Sequence, residues 1–116
     1  MDKAFLLAMV QQCVREGKYV VSVHAQTKHT TVERFTVAQG ISALLNGEVI
    51  EFYPDRDRAL VCGKSEGVQY HEEYIGNYIH VTVRVELHRN AQVVVISMYR
   101  PSVNEWSDYH TRKRMV

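Results

Sequence analysis

The stretch from Tyr78 to Pro101, YIHVTVRVELHRNAQVVVISMYRP, limits what this chain can fold into more than any other. From Ile79 to Leu87 every second residue is a large aliphatic, Ile79, Val81, Val83, Val85 and Leu87, and His80, Thr82, Arg84 and Glu86 fill the alternate positions. That period of two predicts a strand with one face in a core and one polar face. Gln92 to Tyr99 is richer in valine and isoleucine and barely alternates, which predicts a more central strand. His88-Arg89-Asn90-Ala91 then reads as the turn of a hairpin. Tyr99 is expected on the face of Val93 and Val95, with its hydroxyl bonded in the core or offered to a site.

The other elements follow in order. Asp2 is a good helix cap, and Phe5, Leu6, Met9, Val10, Cys13 and Val14 recur at helical spacing until Gly17. Lys18 to Val23 alternates and is rich in β-branched residues, predicting a first strand that exits at His24. His24 to Glu33 is compatible with a short helix, and Thr36 caps a second amphipathic helix over Val37 to Leu45, ended by Asn46-Gly47 in a left-handed cap. Glu48 to Tyr53 and Ala59 to Gly63 read as two strands joined by Pro54-Asp55-Arg56-Asp57. Gln69 to Asn77 is polar and aperiodic, hence a loop, and the tail after Pro101 lacks helical periodicity. The expected fold is a single α+β domain over residues 1–116, a mostly antiparallel sheet of about five strands with two or three helices on one face. The polar sheet face is then wetted or used for binding.

Fourteen Lys and Arg against thirteen Asp and Glu leave a net charge of +1, so any contact with nucleic acid must be made by local patches. Arg112, Lys113 and Arg114, with Arg84 and Arg100, form the candidate patch, and Trp106 is either an anchor against the sheet or a platform for base stacking. Cys13 and Cys62 are isolated and read as core residues. No histidine or cysteine has companions at ligand spacing, so neither a metal nor a cofactor is expected. No apolar run reaches the roughly 20 residues of a membrane-spanning helix. Ala4 to Val10 is too short for a secretory signal, so a cytoplasmic protein without membrane contact is expected.

Several pieces share their spacing with a known family: Ser22-x-His24-Ala25 followed by the basic Lys28; Leu44-Leu45-Asn46-Gly47-Glu48-Val49-Ile50-Glu51-x-Tyr53-Pro54; Leu60-Val61-x-Gly63; His80-Val81-x-Val83; and Tyr99-x-Pro101 with Trp106 and Arg112-Lys113-Arg114. In these the chain resembles the domain-of-unknown-function 4258 family, small bacterial and archaeal proteins similar to the RelE and BrnT toxin folds. It departs from the family in carrying lysine at position 28, where arginine is usual, and in a longer stretch between His24 and Asn46. The resemblance implies a toxin of a toxin–antitoxin pair, a metal-independent ribonuclease with an antitoxin protein and RNA or the ribosome as partners. The alternative is a non-catalytic module of the same fold that binds protein or forms a homodimer. RNA cleavage of this kind needs a base for the 2′-hydroxyl, cations for the phosphate and an acid for the leaving oxygen. His24, Lys28, His80 and Tyr99 are the candidate catalytic residues, each also a plausible structural residue, with Arg84 on the His80 face of the same strand.

Overall fold

The computed structural model describes residues 2–27, 33–86 and 91–113. Helix α1 (Lys3–Arg15) leads into strand β1 (Tyr19–Val21), short helix α2 (Val23–Thr27) and helix α3 (Val37–Asn46). Strands β2 (Glu48–Tyr53), β3 (Arg58–Lys64), β4 (Tyr78–Glu86) and β5 (Gln92–Tyr99) complete the domain. They form one sheet in the order β1-β5-β4-β3-β2. β2 to β5 make an antiparallel meander, and β1 adds itself parallel to β5 at the edge. The expected hairpin is therefore present as the β4–β5 pair, while the residues of its turn, 88–90, lie outside the described residues.

The helices pack on the aliphatic face. Leu6, Val10, Cys13 and Val14 of α1, Ala25 of α2 and Ala43 and Leu44 of α3 form one core with Val61, Ile79, Val81, Val83, Val85, Val93, Val95 and Met98. The Asp2 carboxylate accepts from the Phe5 N–H and starts α1, and Gly17 ends it in the left-handed conformation at φ 74°. Thr36 and Gln39 cap the start of α3 reciprocally. At its other end Gly47 is extended rather than left-handed. Glycine is required there for a different reason: a Cβ would lie 2.6 Å from the Ala43 carbonyl oxygen and 2.7 Å from Val61. Gly63, across the sheet, would meet the same Ala43 carbonyl, so α3 sits almost directly on β3.

Two β-bulges reset the faces. In β5 the register passes from Thr82↔Ser97 to Val83↔Val95, leaving Ile96 as the extra residue. Val93 and Val95 point to the helices, but beyond the bulge Met98 takes that role and Tyr99 turns to the opposite face. The expectation that Tyr99 shares a face with Val93 and Val95 is thus overturned, because one inserted residue inverts the alternation. In β2 the pairs Val49↔Val61 and Glu51↔Leu60 leave out Ile50, which brings Glu51 to the open face alongside Glu48.

Candidate functional site

The face away from the helices carries Glu51 and Tyr53 of β2, Leu60 and Cys62 of β3, His80, Thr82 and Arg84 of β4, and Ser97 and Tyr99 of β5, as their cross-strand partners require. At one end it is not wetted. After Pro101 the chain folds back over it, closing a small loop through the paired Trp106 and Arg112 and the Ser107 N–H to Thr111 carbonyl bond. Trp106 is 1% exposed and stands edge-on to His80, ring centres 4.3 Å apart. Tyr109 stacks on Tyr78 at 4.6 Å. This strap buries His80 completely, along with Leu60 and Cys62. His80, read from alternation as a solvated or site-lining position, is instead the centre of a second, smaller core.

The hydrogen bonds define the state of His80. Its Nε2 lies 2.6 Å from the Tyr109 carbonyl oxygen, which only accepts, so Nε2 carries the proton and donates. Nδ1 then accepts from the Tyr99 hydroxyl at 3.3 Å. Burial drives the His80 pKa down to about 4, against the opposing pull of the Tyr109 carbonyl, and drives the Tyr99 phenol up to about 12. Both groups are neutral near pH 7.

Beside this pair the Arg112 guanidinium forks onto Glu51, Nε to Oε2 at 2.6 Å and Nη2 to Oε1 at 2.9 Å, and lies over the Trp106 ring at 4.6 Å. The Tyr53 hydroxyl donates to the same Glu51 at 2.7 Å. Arg112 chiefly, and Tyr53 less, hold the Glu51 carboxyl below its ordinary range, and Glu51 raises Arg112 in return. Arg100 is buried differently. Its guanidinium donates to the carbonyls of Gln69 at 2.9 Å and Gly76 at 3.0 Å and faces the Tyr74 ring, while its backbone N–H goes to the Glu33 carboxylate at 2.7 Å.

Between the strap, the sheet and the 69–77 loop lies a cleft of about 560 Å³. Tyr99, Arg100, Trp106 and Arg112 line it with Thr82, Ser102, Tyr74, Glu33 and Glu105, and His80 stands directly behind Tyr99. Five of the sequence candidates therefore converge here. His24 is exposed on α2 and does not line the cleft; Arg84 pairs with Glu86 at 2.7 Å, and Lys113 is exposed. Lys28 and Arg114 lie outside the described residues. Sequence reading missed Glu33, Glu51 and Tyr109 as site residues. Glu51 falls within a matched motif, but its partner Arg112 is 61 residues away, and nothing local links the two.

No helix is long and apolar enough to cross a membrane among the described residues. No family, curated protein or solved structure matches this chain in comparisons with known proteins, so the site rests on its own geometry.

Proposed function

We propose that this domain is a RelE/BrnT-like toxin that cleaves RNA without a metal, with the Tyr99 cleft as its active site. The observation that carries the reading is the convergence of a tyrosine, its histidine partner and two arginines in one cleft on the open sheet face. Arg112 uses Nε and Nη2 on Glu51, which leaves Nη1 to donate to a phosphate oxygen as charge builds there. Glu51 fixes the fork, so that donor is oriented before substrate arrives. Arg100 stands in the cleft wall with Glu33 and Glu105, whose carboxylates offset its charge, so the phosphate contact falls to Arg112.

In this mechanism the 2′-oxygen of the RNA attacks phosphorus and the bond to the 5′-oxygen breaks, giving a 2′,3′-cyclic phosphate and a 5′-hydroxyl end. The 2′-hydroxyl proton passes to the Tyr99 oxygen while the Tyr99 proton passes to His80 Nδ1; a water gives its proton to the leaving 5′-oxygen, and the hydroxide left behind is neutralised by the proton that His80 returns through Tyr99. The Tyr109 carbonyl on Nε2 stabilises the imidazolium that forms. Thr82 presents a hydroxyl to the cleft for a sugar, while Trp106, buried between His80 and Arg112, holds the strap in place behind it. A cognate antitoxin would cover this cleft.

The test is induced expression. The wild type is expected to arrest growth, and Tyr99→Phe, which retains the ring, to relieve arrest at equal soluble level. Equal arrest by both would remove Tyr99 from the mechanism. A second reading, the non-catalytic protein-binding module, is favoured by the enclosure of His80 and by the engagement of Arg112 with Glu51; it expects no arrest from either.

A further inference from the structure

A second cleft, of about 530 Å³, opens on the other side of Arg100, between the start of α3 and the 65–77 loop. Its walls include Arg34, Arg100 and His71, with Phe35 at the base and Tyr70 at the rim. No carboxylate is among the residues that line it. In a chain with a net charge of +1, this is a local concentration of positive charge.

Three residues carry features beyond charge. Arg34 is exposed and, among the described residues, its guanidinium makes neither a hydrogen bond nor an ion pair. The chain turns at Arg34 with φ 56°, a conformation rarely adopted outside glycine. Tyr70 is 80% exposed, the most exposed large hydrophobic residue of the described chain, and so offers an aromatic face with no packing role. At His71, Nδ1 accepts from the Glu73 N–H at 3.2 Å, which places the proton of the neutral ring on Nε2 as a donor. Cations, an imidazole donor and an exposed aromatic ring around a cleft of ligand size match the parts of a phosphorylated nucleoside: phosphate on the cations, base on the ring.

We infer that this cleft binds a nucleoside 5′-monophosphate group, free or at the end of an RNA chain, through Arg34 and His71 on the phosphate and Tyr70 on the base. Nothing in this depends on cleavage at Tyr99. A domain that binds such a group without cutting RNA would sink the proposed activity and leave this inference standing.

The probes are adenosine 5′-monophosphate and adenosine, titrated into the full chain and followed by backbone amide shifts. Saturable binding of the monophosphate is expected, with shifts at Arg34, Phe35 and 67–71, and at least tenfold weaker binding of adenosine. Arg34→Ala and Tyr70→Ala, both at exposed positions, should each weaken it about tenfold, with an amide spectrum otherwise unchanged showing that the fold is kept. Competition by a 5′-phosphorylated tetranucleotide but not its 5′-hydroxyl form would identify the chain end as ligand; competition by neither would identify the free nucleotide. No saturation at millimolar concentration, shifts confined to the Tyr99 cleft, or affinity unchanged in both variants overturns the inference.

Discussion

His80 shows how burial changes what a residue can do. Alternation placed it correctly on the face away from the aliphatic stripe, and the strap then converted that polar face into an interior. Nothing local in the sequence announces the change, because Trp106 and Tyr109 reach His80 from a segment without periodicity. The change has a pH consequence. The folded-state pKa of about 4 lies below the ordinary 6.5, so the folded protein resists protonation that the unfolded chain accepts. His80 thus contributes fully above pH 6.5, and its contribution, about 3 kcal/mol at most, is lost as pH falls towards 4. The check is urea unfolding between pH 7.5 and 4 for the wild type and His80→Gln. The stability difference between them should shrink as pH falls; a constant difference would mean that His80 titrates normally.

At the scale of elements, the ends of strands and helices were largely legible: β2 and β5 fall where alternation and turn chemistry put them, and α3 begins at the Thr36 cap. The bulges were not. A Val/Ile-rich run reads the same with or without an extra residue, so the sequence of β5 does not reveal that Ile96 is skipped. Yet the two bulges aim Tyr99 and Glu51 onto the open face, and without them the cleft would lose its hydroxyl and Arg112 its partner. Truncation should expose this uneven burial. Val83 is completely buried in the main core, whereas Ile96 at the bulge and Thr82 on the open face are only partly buried. Val83→Ala should cost about 2 to 4 kcal/mol, and Ile96→Ala and Thr82→Ala clearly less. Equal denaturation midpoints for the Val83 and Thr82 variants would mean that the faces of β4 are assigned the wrong way round.

At the scale of the molecule, the sheet has two unlike sides. One is closed by three helices over a continuous aliphatic core, and the other by a single strap fixed at Trp106, Tyr109 and Arg112. Of the basic tail, Arg112 serves the strap rather than a loose patch, which the run Arg112-Lys113-Arg114 alone does not distinguish. The sheet and its helices follow from residue periodicity; the strap and both clefts follow from contacts between distant segments, which periodicity does not encode. The central claim is that the cleft under the strap cuts RNA. Its most direct test is incubation of a labelled single-stranded RNA with the purified protein in excess chelator, with analysis of the ends produced. The proposed chemistry predicts 2′,3′-cyclic phosphate and 5′-hydroxyl ends from the wild type and at least a hundredfold slower cleavage by Tyr99→Phe, consistent with general acid–base contributions of about 10² to 10⁴. Intact RNA after prolonged incubation with the folded wild type, or equal cleavage by Tyr99→Phe, would contradict it.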